Sequence, residues 1–361
     1  MAFDPLIPYN DLPLLPPAGD LETKAVLKKT IAAGRALAEL KGLGETIPDQ
    51  SVLVNSIVLQ EAKASSEIEN IVTTNDALFR ALTVASPSGV DPSTKEVLRY
   101  REALWTGFHD LDLRTVLTTN TFVNIVNTIK EVQTGVRNLP GTVLSNPTSG
   151  EVIYTPPEGE GVIRDKLRNL EDYIHSPDGP DPLVKMATIH YQFEAIHPFS
   201  DGNGRTGRIL NILYLVQQGL LDMPVLYLSR YIIENRSEYY RRLRMVTESR
   251  EWEPWILYML DAIENMARLT RQRILDIRRL LEETIDLVHD KLPRVYSKEL
   301  VELLFRHPYT KVQFVVDGGL ARRQTAGTYL RELESIGVLN SFRVGKENIF
   351  LNVRLYELLS K

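Results

Sequence analysis

The chain has 361 residues, 43% of them hydrophobic and 25% charged, the balance of a globular protein of two or three domains rather than a disordered or fibrous one. It holds no cysteine, which excludes disulfides and thiolate metal sites and fits a reducing cytoplasm. The net charge of −5 is uneven: residues 291–361 carry 12 Lys and Arg against 7 Asp and Glu, so a C-terminal unit of net +5 follows a body of −10, and partners of its own are expected for it.

The opening segment to Pro17 is broken by Pro5, Pro8 and Pro13 and carries Asp4 and Asp11. It lacks a basic start followed by an apolar run, so it is no secretory signal, and it reads as an extended arm that wraps another part of the molecule. No run of about 18 uncharged apolar residues occurs, so no membrane span or membrane partner is expected. A helix is expected from Asp20, with Asp20-Leu21-Glu22-Thr23 as an acidic first turn, to Gly42; Val26, Ala33, Leu37 and Leu40 recur at helical spacing. The next is expected from Asn55 to Glu69, with Ile57, Ala64, Ile68 and Ile71 buried. Asp91 to Ser93 marks a break before another helical run, and Thr121 to Val136 reads as helix. Thr142-Val143-Leu144 and Val152-Ile153-Tyr154 flank Asn146-Pro147-Thr148-Ser149-Gly150 as a β-hairpin with a long polar turn. Helices resume over Val162–His175 and Pro182–His197. Ile209 to Val216 is apolar almost all round, as in a helix at the centre of an all-helical domain, and Trp255 to Val288 is a long helical pattern ended by Pro293. The last segment reads as helices at Ser297–Arg306, Lys311–Asp317 and Arg322–Ile336, then strands Val338–Val344 and Asn348–Val353 around Gly345-Lys346-Glu347. That is the order of a winged helix-turn-helix module.

The chemistry concentrates in His197-Pro198-Phe199-Ser200-Asp201-Gly202-Asn203-Gly204-Arg205-Thr206-Gly207-Arg208, a loop that leads into a helix. Gly202 and Gly204 permit a tight turn whose N–H groups, with the positive end of the following helix, suit an anion such as phosphate. Arg205 and Arg208 add charge-assisted hydrogen bonds. Asp201 is a hard oxygen ligand of the kind Mg²⁺ takes on phosphates, and His197 is the side chain whose ordinary pKa suits a general base. A lone Gly-x-Gly is ordinarily a turn and a lone histidine ordinarily structural; their combination with Asp201, Asn203 and two arginines is what points to chemistry.

This stretch resembles the Fic family signature, His-x-Phe-x-Asp/Glu-Gly-Asn-Gly-Arg-x-x-Arg, at every fixed position, and the proline-rich arm and the hairpin resemble that family's N-terminal domain and flap. The resemblance implies a mainly α fold: a Fic N-terminal domain with an inhibitory helix over residues 1–110, a Fic helical core with a β-hairpin flap over 111–290, and a winged helix domain over 291–361. It implies transfer of AMP from ATP to a Tyr, Ser or Thr hydroxyl of a protein, another protein or the chain itself, with pyrophosphate leaving. His197 is then the base, Phe199 pins the loop in the core, and Asp201 holds Mg²⁺. Gly202, Asn203, Gly204, Arg205, Thr206 and Gly207 bind ATP, and Arg208 grips the γ-phosphate. Glycine at 204, where the kinase-like Doc branch has lysine, favours AMP transfer over phosphorylation.

Ser65-Ser66-Glu67-Ile68-Glu69-Asn70 resembles the family's inhibitory motif, Ser/Thr-x-x-x-Glu-Gly/Asn. Ser65 and Glu69 are four apart and share a helix face. In related proteins that glutamate pairs with the last arginine of the signature, here Arg208, and in some it also supports AMP removal; whether it does so here is left open. The flap residues Glu151, Val152, Ile153 and Tyr154 are candidates to add a strand to a target segment. Tyr239 and Tyr240 fall where relatives place residues around the adenine or ribose, and Thr247 stands where those relatives have Asn. His190, two helical turns before His197, reads as a core residue more readily than a site residue. In the C-terminal unit, Arg322, Arg323, Gln324, Thr328 and Arg331 would face DNA, with Glu332 and Glu334 diluting that face. Protein docking or support of a homodimer is equally compatible. The alternatives to AMP transfer are a DNA-binding regulator with a nucleotide-sensing body, and transfer of another nucleotide such as UMP.

Overall fold

A computed structural model describes residues 3–44, 50–83, 89–146, 149–344 and 347–360, with backbone only for 50–55, 112 and 114. Pro147 and Thr148 of the hairpin turn, Gly345 and Lys346 of the C-terminal turn, and the Asn55 side chain lie outside the described residues. The first half runs α1 Lys24–Gly44, α2 Gln50–Ile68, α3 Asn75–Thr83, α4 Pro92–Arg114 and α5 Thr119–Lys130, then the hairpin β1 Leu144–Ser145 and β2 Val152–Tyr154. The second half runs α6 Glu160–His175, α7 Pro182–Ile196, α8 Asn203–Gln217, α9 Leu228–Glu234, α10 Arg236–Ser249 and α11 Trp252–Lys291. The C-terminal unit is α12 Lys298–Arg306, β3 Tyr309–Thr310, α13 Val312–Asp317, α14 Arg323–Ser335, β4 Asn340–Val344, β5 Glu347–Leu351 and α15 Val353–Ser360.

α8 sits at the centre of the helical body, as its apolar run requires: Ile209, Leu210, Ile212, Leu213 and Leu215 are all fully buried, because a helix apolar all round gains most when every side meets another element. α7, α4, α5 and α2 pack around it. Gly107 lets α4 come close; a Cβ there would lie 2.6 Å from the Leu213 Cδ1. α11 is 40 residues, ~60 Å at 1.5 Å per residue. Its first half packs on α1 and α7, with Lys29 Nζ 2.6 Å from Glu264 Oε2, and its second half carries α12 and α15.

The arm before α1 does wrap. Leu12 and Leu15 are buried, Lys166 donates to the Leu12 carbonyl (2.8 Å), and Asn169 exchanges two hydrogen bonds with the Leu15 backbone (2.8 and 2.9 Å). α1 starts at Lys24 rather than Asp20, with no acidic first turn. Thr23 Oγ1 accepts from the Val26 N–H, while Glu22 accepts from Asp181 N, 159 residues away. α5 stops at Lys130, six residues before the expected end, because Glu131 turns left-handed (φ 54°). The hairpin strands are shorter than expected, pairing Leu144 with Tyr154 and Ser145 with Val152.

Helices α3, α9, α10 and α15 and strand β3 were not anticipated. The C-terminal unit keeps the expected order of helices and hairpin, and β3 adds to it a three-stranded antiparallel sheet of order β3-β5-β4. It seats on α3: Tyr309 Oη donates to Asp76 Oδ1 at 2.5 Å, and the Arg80 guanidinium lies 5.2 Å above the Phe342 ring. No helix among the described residues is long and apolar enough to cross a membrane.

Candidate active site

α7 ends at Ile196, and His197 is its C-cap in the left-handed region (φ 50°, ψ 58°), a place that usually falls to glycine. Arg137 holds that strained turn. Its Nε donates to the His197 carbonyl (2.8 Å), its Nη2 to Ile196 O (3.3 Å), and its backbone N–H to Pro198 O (2.9 Å). Burial, with the Arg137 charge beside it, lowers the His197 pKa to about 4, against the Glu194 backbone, Glu69 and Asp201, which raise it. The imidazole is therefore neutral at physiological pH and able to accept a proton.

From His197 the chain crosses a buried Phe199 into α8. Asn203 staples this crossing, accepting from Phe199 N (2.8 Å) and donating to Phe199 O (2.7 Å). Its amide is thus committed to the loop, and only its backbone N–H is left for a phosphate. Gly202, the N-cap, has φ 82° and no side chain to cap the helix; a Cβ there would lie 3.0 Å from Val126 Cγ2. The first N–H groups of α8 are left without a capping side chain, the arrangement that receives anions.

Two arginines leave the first turns of α8 for different helices, α4 and α2. Arg205 is buried and donates to Glu96 Oε1 of α4 (2.6 Å), while Lys130 of α5 reaches both Glu96 Oε1 (3.3 Å) and Asp201 Oδ2 (2.5 Å). Asp201 Oδ1 accepts from Gly202 N (2.6 Å), and its carboxyl is held below the ordinary range: Lys130 and Gly202 outweigh burial. Asp201 is the exposed carboxylate of the turn, at 61%. Arg208, also buried, donates through Nε to Ser65 Oγ (2.7 Å) and through Nη2 to Ser65 O (2.8 Å) and Glu69 Oε1 (2.9 Å). Burial works against its charge, but Glu69 outweighs it and the pKa stands above the ordinary arginine value.

Ser65 and Glu69 reach one guanidinium because both lie on the same face at the end of α2. The chain leaves there through Asn70 in the left-handed region (φ 62°), with Ile71 N donating to Ser66 O (3.0 Å). Asparagine and glycine are the residues that take this conformation cheaply, which is the physical reason for either after the glutamate. α2 is anchored upstream by the fully buried Glu61, whose carboxylate accepts from Ser229 N (2.8 Å) and Ser229 Oγ and from Tyr100 Oη (3.2 Å). The Glu69 carboxylate lies so close over α8 that a Cβ on Gly204 would run into its Oε1, and would stand 2.9 Å from Arg208 Nη1.

The other expected residues divide. Thr206 is buried and faces inward. Gly207 admits Glu194: a Cβ there would lie 2.6 Å from Glu194 Oε1, and burial pushes that carboxyl up to about 7. Tyr239 is a core residue whose Oη meets His190 Nε2 (2.8 Å); Tyr240 is 45% exposed at the mouth of the site, with the Arg236 guanidinium 5.9 Å from its ring. His190 is fully buried, stacks on Trp255 and accepts from Asn211, the core role expected. Thr247 bonds Tyr191 Oη (3.0 Å) inside. In the flap, Glu151 is exposed and Val152 and Ile153 are half-buried. Tyr154 is an anchor, donating to Ala195 O (2.7 Å) and stacking on Phe3. Sequence reading missed Arg137, Lys130, Glu96, Glu61 and Glu194; only Glu194, three residues before His197, had proximity to signal it.

Residues 27–109 match the family model Fic/DOC family N-terminal, 112–215 match Fic/DOC family, and 280–355 match protein adenylyltransferase SoFic-like, C-terminal domain. The chain belongs to the Fic/DOC family. Protein adenylyltransferase fic-1 of Caenorhabditis briggsae is 33% identical over 108 residues, 29% of this chain and 20% of that protein. Protein adenylyltransferase Fic of Drosophila willistoni is 31% identical over 110 residues, 30% of this chain and 21% of that protein. The chain therefore spans about a fifth of the length of these curated relatives. A crystal structure of a Fic family protein from Desulfovibrio desulfuricans G20 superposes with a TM-score of 0.56 at 19% identity, over 91% of this chain and 96% of that one. At that identity the likeness speaks for the fold.

Proposed function

We propose that this Fic chain is an autoinhibited protein adenylyltransferase, moving AMP from ATP to a hydroxyl side chain of a protein. The observation that carries the proposal is the occupied anion seat: a carboxylate, Glu69, lies over the uncapped start of α8 and on Arg208. A triphosphate that needs the same donors must displace it. Arg208 released from Glu69 takes the γ-phosphate in a forked pair, while the N–H groups of Asn203 and Gly204 face the inner phosphates.

The target oxygen then attacks the α-phosphorus, and His197 takes the hydroxyl proton. The bond from that phosphorus to the bridging oxygen breaks, and pyrophosphate leaves with its electron pair. Positioning and charge stabilisation do most of this. The donor set fits Mg²⁺: one exposed carboxylate beside a phosphate cradle is what the ion takes when phosphates and water complete its shell. Asp201 would hold it, giving up Lys130, and the ion would neutralise charge on the phosphate oxygens. Tyr240 lines the approach for the base, and Glu151 to Ile153 offer a strand edge to an extended target. Residues 1–110, 111–290 and 291–361 act as the N-terminal, catalytic and C-terminal units of this machine.

The test is Glu69→Gly protein incubated with α-labelled ATP and Mg²⁺ in lysate, beside the parent and a Glu69→Gly/His197→Ala double variant. Label on protein bands is expected to rise strongly with Glu69→Gly and to vanish with the double variant. Equal labelling by parent and Glu69→Gly removes the inhibitory role; label that survives loss of His197 removes the base.

A further inference from the structure

We infer an oxyanion site, fitted to a phosphate group, in the groove where α9, α11 and α15 meet, away from the His197 turn. The groove is a cavity of about 540 Å³ walled by residues of all three helices. At its floor Arg273 of α11 is only 9% exposed. Its guanidinium lies 5.4 Å from the Tyr227 ring, and that of Arg230 lies 5.9 Å from the same ring.

The partners of these charges differ. Arg230 has Glu234 at 2.8 Å. Arg354, across the groove, has Glu283 at 2.5 Å, and Arg279 is 3.9 Å from an Asp276 already engaged by Gln272. Arg273 has no carboxylate within ion-pair distance and no hydrogen-bond acceptor among the described residues. Its guanidinium nitrogens are not sealed off; they open on the groove, where the forked donors are free to meet an oxyanion. Burial holds the Arg273 pKa below the ordinary arginine value, with Arg230 adding to it and Tyr227 and Glu234 opposing it.

Glu357 is the wall's remaining carboxylate; with Glu234 on Arg230 the four arginines meet four acids, but unevenly, and among the described residues Arg273 has no carboxylate of its own. Two guanidiniums at one ring suit the tetrahedral oxygens of a phosphate, which accept forked pairs from arginine. The group could arrive as inorganic phosphate or as part of a nucleotide. Either would tie α15 of the C-terminal unit to the helical body.

The proposal is independent of the catalytic reading and is tested on the full chain with Glu69 in place, by calorimetry and thermal melting with phosphate, pyrophosphate and ADP. Parent and Arg273→Met are compared, so that binding at the α8 turn is common to both. The parent is expected to melt higher with pyrophosphate, saturably and by a few degrees, where sodium chloride of equal ionic strength has no such effect. Arg273→Met is expected to lose that increment. Arg279→Ala, at an exposed position, is expected to weaken binding several-fold. Should Arg273→Met fail to fold, Arg273→Lys, which keeps the charge but loses the fork, is expected to bind several-fold more weakly. Tighter ADP than pyrophosphate assigns the site to a nucleotide, and equal affinity assigns it to the phosphate chain. An equal rise in parent and Arg273 variants, or no saturable rise in the parent, overturns the site.

Discussion

The two arginines of α8 are buried alike, at 2% side-chain exposure, yet they are held by different kinds of structure. Arg205 meets Glu96 in the body of α4, with Lys130 and Asp201 completing a ring of alternating charge. Arg208 meets Glu69, one residue past the last turn of α2, on a chain that leaves through a left-handed asparagine. Helix bodies are fixed by packing on both sides, whereas helix ends fray. The same motif thus contains one arginine tied to a helix body and one tied to a helix end, the one that the proposed function hands to a ligand.

The largest expected effect falls on chemistry. In a Glu69→Gly background, His197→Ala is expected to cut AMP transfer by a factor of about 10²–10⁴, the usual share of a general base. An unchanged single-turnover rate would place the base elsewhere. Next, Glu96→Ala and Glu69→Gly should separate the two arginines. Loss of Glu96 leaves the buried Arg205 only a 3.8 Å approach to Asp201 and is expected to cost about 3 kcal/mol in urea unfolding, the low end for breaking a buried pair. Loss of Glu69 leaves Ser65 on Arg208 and is expected to cost about 1 kcal/mol while raising activity. Equal losses would erase the distinction.

A pH experiment sharpens the same contrast. Burial lowers His190 to about 3 and His197 to about 4, below the free value near 6.5. Where the folded pKa is depressed, the unfolded chain takes the proton first. Their contribution is full above about 6.5 and is lost as pH falls toward about 4 for His197 and about 3 for His190. Glu194, raised to about 7, runs oppositely: its contribution is full below the free carboxylate value and falls as pH rises to about 7. His190→Gln is expected to flatten the acid limb of the melting curve between pH 6.5 and 4. A limb as steep as the parent's would mean another group titrates there. The smallest effect belongs to Asn70→Val, which puts a β-branched residue at φ 62°. About 1–2 kcal/mol of strain at that turn should loosen Glu69 and give a partial rise in labelling, below that of Glu69→Gly.

Much of the site was legible because it is local. His197, Asp201, Gly202, Gly204 and Arg208 lie within twelve residues, and their order already places them along one loop and the first turns of one helix. Ser65 and Glu69 were legible as one helix face for the same reason. Tyr239 misled, because a tyrosine at the right distance along a helix can face the core as readily as the cleft; here His190 and Trp255 claim it. The short helices α3 and α9, of 9 and 7 residues, had too few turns for periodicity to speak, and the 14-residue α10 buries so few apolar side chains that it shows little apolar period.

The residues alone determined the tight turn after His197, the shared helix face of Ser65 and Glu69 and the apolar α8 at the centre, since each depends on neighbours fewer than a dozen positions away. Tertiary structure alone decided that Arg137 locks the His197 turn from 60 residues off, that Glu61 pins α2 to Ser229 across 168 residues, and that Lys130 already sits on Asp201. Contacts between distant segments leave no period or spacing in the sequence. They exist only once packing has brought the helices together.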